Sequence, residues 1–267
     1  MSVITQKQGQ LEYLTAEGIS VPHCFTTRLG GVSTGIFDSL NIAIKEGETE
    51  DNVRENLSRL GSALGFSTDD LVLTRQTHSD IVRAVDASHR RGCFHRDYPE
   101  CDALITATPG LALTVFTADC TPILLHDPVT GAVGAVHAGW KGTAQDIAGK
   151  TVAAMVTHYG CRPEDIRTAI GPNIGQCCFE TDFDVPAALM EVYGQEACLA
   201  HIRRAGEKYY VNLKEINALS LRRAGVRHIE ISDSCTMCRP DLFWSHRYTR
   251  GQRGSQGAII VCKEGCK

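Results

Sequence analysis

The chain has no apolar run long enough to span a membrane, no Pro/Ser/Gly-rich linker, no repeat period and no low-complexity tract. Those absences exclude a helical membrane protein, a repeat array and a largely disordered chain. A basic excess is missing too: Lys+Arg total 27 against 31 Asp+Glu, a formal charge of -4. Nothing in that balance points to a nucleic-acid or membrane-surface partner. The opening residues, Met1-Ser2-Val3-Ile4-Thr5-Gln6-Lys7, lack the apolar core of a secretory signal. What is present is an ordinary globular composition, 43% hydrophobic and 22% charged, over 267 residues. One domain over 1–267 is the simplest expectation. The chain also carries 12 cysteines. An even count in a short secreted chain suggests a disulfide framework, but a chain of this length can bury a core without staples. The expected setting is reducing cytoplasm, with free thiols of which some serve as metal ligands or nucleophiles.

Short β-rich runs dominate the first half: 21–27, 71–75, 103–106 and 111–117. The runs 122–127 and 132–137 flank the turn sequence Pro128-Val129-Thr130-Gly131 and are expected to form a hairpin, with Val133, Ala135 and His137 on one face. Helical spacing marks 51–64, 143–159, 185–193 and 213–223, and a last strand is expected at 258–261. Strands and helices mix without regular βαβ alternation. That favours an α/β (α+β) fold, mixed β-sheets in a sandwich flanked by helices.

Reactive side chains gather at three strand ends: Gln76-Thr77-His78-Ser79-Asp80, Ala118-Asp119-Cys120-Thr121-Pro122, and His137-Ala138-Gly139-Trp140-Lys141-Gly142-Thr143. Rigid scaffolds present functional groups at such junctions. Two histidines and a cysteine converging there would make a three-ligand Zn²⁺ site with a fourth position open. Spacing leaves the alternative standing, with Cys120 a small packed hydrophobe and the histidines bonded to backbone. Cys120 with His137 also reads as a nucleophile–base pair. Residues 139–143 lead into an expected helix start, so Lys141, Thr143 and the loop residue Arg28 are candidates for binding phosphate. No two of the ten histidines are two residues apart, so paired His-x-His copper ligands are absent. The His-x-Glu and Pro-Cys-x-x-Cys pattern of nucleobase deaminases is absent as well. Cys235-Thr236-Met237-Cys238 is either a redox pair, half of a metal site with Cys177 and Cys178, or simply buried thiols near a site wall; the last is preferred.

An ordered series of motifs extends over nearly the whole chain: Thr26-Thr27-Arg28-Leu29-Gly30-Gly31-Val32-Ser33, Ser39-Leu40-Asn41, Gln76-Thr77-His78-Ser79, Cys101-Asp102-Ala103-Leu104-Ile105-Thr106, Ala118-Asp119-Cys120-Thr121-Pro122-Ile123, His137 to Thr143, Gly171-Pro172-Asn173 to Glu180, and Leu242-Phe243-Trp244-Ser245-His246-Arg247. The series resembles the YfiH family, also called laccase-domain or multicopper polyphenol oxidoreductase proteins. The resemblance implies one domain of mixed β-sheets between helices, similar to certain cysteine-dependent toxin deamidases. It implies a metal, Zn²⁺ or else Cu²⁺, on His78, Cys120 and His137. It implies phosphorolysis of adenosine, inosine and 5′-methylthioadenosine, with adenosine deamination; polyphenol oxidation and a peptidoglycan-editing or cysteine-hydrolase role are the alternatives. Asn41, His246 and Arg247 then stand as substrate or phosphate contacts, and Asp119 as the residue orienting a ligand histidine. The chain departs from the family pattern at Ile42-Ala43-Ile44-Lys45-Glu46-Gly47, at Lys141 and at Tyr248.

Overall fold

The fold is known from a computed structural model, which describes residues 3–94 and 99–263. The first strands are β1 (Val3–Gln8), β2 (Leu11–Ala16), β3 (His23–Thr26), β4 (Leu71–Leu73), β5 (Val82–Ala84) and β6 (Ala103–Thr106). There follow β7 (Ala112–Thr117), β8 (Thr121–His126), β9 (Val133–Ala138), β10 (Arg167–Ile170) and β11 (Glu180–Thr181). The last are β12 (Ile202–Ala205), β13 (Lys208–Val211), β14 (His228–Ile231) and β15 (Gln256–Val261). The helices are α1 (Glu50–Leu64), α2 (Trp140–Thr143), α3 (Ile147–Tyr159), α4 (Asp184–Tyr193), α5 (Gln195–Leu199), α6 (Leu213–Arg223) and α7 (His246–Thr249).

Two six-stranded sheets form, in the orders β1-β2-β3-β15-β7-β4 and β14-β10-β8-β9-β6-β5, with a small third sheet β11-β13-β12. The central strands are apolar on both faces because both faces are covered. In β15, Ala258 and Ile260 join Leu113, Leu124 and Ala135 between the sheets, while Ile259 and Val261 pack outward on α1. In β8, Leu124 points inward and Ile123 and Leu125 pack against α3 and α6. The result is a helix–sheet–sheet–helix sandwich, the mixed fold expected from the sequence.

The expected hairpin forms, with β8 and β9 antiparallel and Pro122 opposite His137. Helix α1 has the expected stripe Val53, Leu57, Leu60 and Leu64. Thr49 caps it by accepting from the Asn52 N–H at 3.2 Å, and Gly65, at φ 75°, ends it. The single helix expected over 143–159 is instead two, α2 and α3. The break falls at Asp146, at φ 61°, whose carboxylate accepts from the Ser220 hydroxyl and from Tyr193 OH. Tertiary hydrogen bonds on Asp146 thus override the helical periodicity read locally. Strands β1, β2, β5 and β10–β14 were not expected; Ile202–Ala205, for example, reads Ile-Arg-Arg-Ala and has no apolar alternation.

Candidate active site

Strand pairing brings the three motifs together. Cys120 immediately precedes β8, and His137 is the next-to-last residue of its neighbour β9. Strand β6 pairs β9 on the other side, so Asp102, just before β6, lies against His137, whose N–H donates to the Asp102 carbonyl at 2.8 Å. His78 sits in the 74–81 connection from β4 in the first sheet to β5 in the second.

Asp102 assembles this corner. Its Oδ1 accepts from the His78 N–H at 3.1 Å and lies 2.7 Å from His137 Nδ1. Its Oδ2 accepts from the N–H groups of Thr77 and Ser79 and from the Ser79 hydroxyl, at 3.1, 2.8 and 2.7 Å. Burial opposes the charge, but these donors, His137 first, hold the Asp102 carboxyl down at about 2. They also hold His78 at φ 60°, an uncommon conformation for a residue with a bulky side chain.

The ligand atoms of His78, Cys120 and His137 all lie within 4.8 Å of one another, with Cys120 Sγ 3.7 Å from His78 Nε2. With His137 Nδ1 on Asp102, its Nε2 is the free donor, which is how ligating histidines are oriented. Burial resists a Cys120 thiolate, yet His137 and His78 outweigh it and bring the thiol to about 6. Burial likewise resists a charged His137, but Cys120 and then Asp102 raise it to about 9. Gly139 closes the corner: a Cβ there would lie 2.6 Å from His78 Cδ2 and 3.2 Å from Cys120 Sγ. One thiolate and two imidazoles, one of them carboxylate-backed, fit a Zn²⁺ or copper ion.

Residues 22–263 match the family described as multi-copper polyphenol oxidoreductase laccase. The chain belongs to that family. It is 40% identical over 250 residues to a purine nucleoside phosphorylase of Deinococcus radiodurans, covering 94% of this chain and 92% of that one. It is 38% identical to the purine nucleoside phosphorylase YlmD of Geobacillus stearothermophilus, covering 90% and 89%. The crystal structure of YlmD from that organism superposes with a TM-score of 0.91 over 98% of this chain and all of its own. That of the hypothetical protein YfiH from Bacillus licheniformis gives 0.90 at 35% identity, over 97% and 99%. Like the two purine nucleoside phosphorylases, the family member described here is an enzyme.

The triad opens into a cleft of about 200 Å³ lined also by Lys45, Gln76, Arg253 and Ser255. A larger cavity, about 480 Å³, lies by Asp146, Tyr193 and Arg223 and holds none of the triad, so chemistry rather than volume selects the cleft. Burial and then the neighbouring Arg253 pull the Lys45 ammonium down to about 8. Arg253 donates to the Gly254 carbonyl and the Ser255 hydroxyl at 2.9 Å, while its buried Nε has no hydrogen-bond partner. Neither cation was singled out from the sequence, since both lie on loops without periodicity. Asn41 explains their placement. It is fully buried, donates to the Ala43 carbonyl and Glu48, and accepts from the Ser255 N–H at 2.8 Å, fastening both loops.

Several expected contacts have other duties. The Arg28 guanidinium donates to the Asp38 and Pro240 carbonyls and stacks 4.0 Å over Trp244, outside the cleft. Thr143 is fully buried and accepts from Asn217 at 3.1 Å, so its hydroxyl faces the interior. Lys141 is exposed on a four-residue helix, too short to offer the anion site expected at residues 139–143. Asp119 does not orient a histidine. Its carboxylate accepts from Thr236 Oγ1 at 2.6 Å and the Arg247 N–H at 2.7 Å, and Asp102 has the orienting role. Arg247 itself is exposed and donates to the Glu180 carbonyl. His246 is exposed overall, and partial desolvation of its ring, followed by the nearby Arg253, lowers its pKa. The signal for Asp102 was available: an acidic residue leading directly into the apolar run Ala103–Thr106.

Proposed function

We propose that this enzyme is a purine nucleoside phosphorylase whose metal, Zn²⁺, is held by His78, Cys120 and His137. The observation that carries the reading is the pairing of an open three-donor corner with two cations, Lys45 and Arg253, in one cleft. A bound Zn²⁺ supplies Lewis acidity to a coordinated group. The side chains supply the rest. Asp102 fixes the His137 ring so that Nε2 faces the cleft. Lys45 and Arg253, neighbouring cations lining the same cleft, hold phosphate. A phosphate oxygen then bonds to the ribose C1′ as the glycosidic C–N bond breaks. Its electrons leave with the base, which takes up a proton. The names of the relatives support this class of substrate. Adenosine, inosine and 5′-methylthioadenosine are the proposed nucleosides, with adenosine deamination as a second reaction in which water adds at the purine C6 and the amine leaves as ammonia, giving inosine. The cytoplasm is the proposed setting.

Incubating the enzyme with adenosine, with and without phosphate, and separating adenine, inosine and hypoxanthine tests the proposal. Adenine formed only with phosphate is the expected result, and inosine formed without it reports deamination. Neither product from metal-loaded enzyme sinks the reading. A copper oxidase reading follows the family description and predicts phenol oxidation with copper alone. A cysteine-hydrolase reading is favoured by the closeness of Cys120 to the two histidines, and predicts thiol labelling without prior chelation.

A further inference from the structure

A second cluster of metal-ligating side chains lies apart from this cleft. Strands β10 and β14 are parallel neighbours, so the loops that follow them leave the sheet at the same end. The first loop carries Cys177 and Cys178, the second Cys235 and Cys238. All four Sγ atoms lie within 4.8 Å of one another. Cys238 Sγ is 3.6 Å from Cys177 Sγ and 3.4 Å from Cys178 Sγ. These separations far exceed a disulfide bond of about 2.05 Å. They approach the ~3.8 Å edge of a sulfur tetrahedron built on metal–sulfur bonds of about 2.3 Å.

Packing of apolar thiols does not account for the cluster, because Cys177 and Cys238 are exposed. The buried-thiol reading preferred from the sequence therefore fails for half of the set. The surroundings are instead those of a closed ion site. The Gly175 N–H donates to Cys235 Sγ at 3.1 Å. A Cβ at Gly175 would stand 3.2 Å from both Cys177 Sγ and Cys235 Cβ, so glycine is what lets the two loops close. Lys214 lines the same cavity as Cys177 and Cys235. Its buried ammonium donates to the Ser232 and Ser234 carbonyls at 2.6 and 2.7 Å. Four thiolates on a divalent ion leave a net charge of about -2, and Lys214 supplies part of the compensation.

We propose that Cys177, Cys178, Cys235 and Cys238 form a closed, structural zinc site that clamps the β10 and β14 loops together. Four sulfur donors without an oxygen or nitrogen competitor select a soft ion, and zinc takes them tetrahedrally without redox chemistry. The clamped loops reach the active-site turn on both sides of Cys120: Asn173 donates to Thr121 Oγ1 at 2.7 Å, and Asp119 takes two further bonds. The Ile174 N–H donates to the Asp119 carbonyl at 2.9 Å, and Thr236 Oγ1 donates to its carboxylate. Asp119 directly precedes the ligand Cys120, so the clamp is a positioning device for the active-site turn.

The decisive protein is the double variant His78→Ala/Cys120→Ala, in which the four-cysteine site alone remains. Purified after expression with zinc, it is expected to retain a full equivalent of the metal, and X-ray absorption is expected to show an all-sulfur shell. Cobalt exchanged into it should give the intense thiolate charge-transfer bands of a four-sulfur site. The companion Cys178→Ser/Cys238→Ser is expected to lose that equivalent while keeping the metal of the cleft. Absence of metal from the first variant, a shell containing nitrogen or oxygen, or a mass showing a Cys178–Cys238 disulfide would overturn the assignment. Should the serine variant fail to fold, the first variant decides alone. Its outcome is independent of which metal or reaction the cleft supports.

Discussion

At the scale of single residues, Asp102 has the largest set of obligations. One carboxylate satisfies three backbone N–H groups and a hydroxyl from the 77–79 turn and also backs His137. Asparagine is nearly isosteric there but offers one acceptor oxygen and one donor group. Turned one way, its NH₂ faces the Thr77 and Ser79 donors. Turned the other, it donates to His137 Nδ1 and forces the proton onto Nε2, removing the lone pair a metal needs. Asp102→Asn is therefore expected to lower metal affinity by about 10- to 100-fold, measured by competition with a chromophoric chelator. It should also reduce stability by ~1–3 kcal/mol, measured by urea titration. Because Asp102 titrates at about 2 when folded, below its unfolded value, its contribution is complete above roughly pH 4 and is lost as pH falls toward 2. The variant's acid-unfolding profile should be correspondingly flatter in that window.

Elements explain why some of this was legible and some was not. The β8–β9 hairpin announced itself through two apolar runs around a Pro-Val-Thr-Gly turn, and with it came the adjacency of Cys120 and His137. Helix α1 was legible because its cap, its stripe and its terminal glycine agree. The split between α2 and α3 was not, because its cause lies in Tyr193 and Ser220, far along the chain. The same limit hid Lys45 and Arg253, which reach the cleft through Asn41 and not through any local pattern. The glycine between β9 and α2 provides a test at this scale. Gly139→Ala places a methyl 2.6 Å from His78 Cδ2 and 3.2 Å from Cys120 Sγ. The backbone there, at φ -69°, tolerates alanine. The expected result is a folded protein with an unchanged circular dichroism spectrum but little bound metal at the cleft and a loss of turnover exceeding tenfold. Full metal content would show that the three ligands do not share an ion.

For the whole molecule, a formal charge of -4 coexists with a cleft holding two neighbouring cations, so the proposed anion site is local and not a property of the surface at large. Lys45→Ala and Arg253→Ala are each expected to raise the KM for phosphate by about tenfold or more, as loss of a charge-assisted contact of ~1.5–3 kcal/mol requires. The KM for nucleoside should move far less, and initial-rate measurements with both substrates varied separate the two. If both constants rise together, the cations do not form a dedicated phosphate site. The sandwich as a class was readable from mixed short strands and helices, while the strand order, with β15 between β3 and β7, was not, since it depends on pairings between chain ends.

The 74–81 connection, which carries His78 from one sheet to the other, also sets a mechanical condition. Cys120 and His137 are anchored to the second sheet, whereas Ser255, beside Arg253, leads directly into β15 of the first. The candidate metal ligand His137 and the proposed phosphate-binding Arg253 thus sit on opposite leaves of the sandwich, like the two jaws of a caliper. Their spacing is set by the thickness of the apolar layer formed by Leu113, Leu124, Ala135 and Ile260, although none of these side chains lines the cleft. Tolerance to substitution in that layer should accordingly be narrower for activity than for folding.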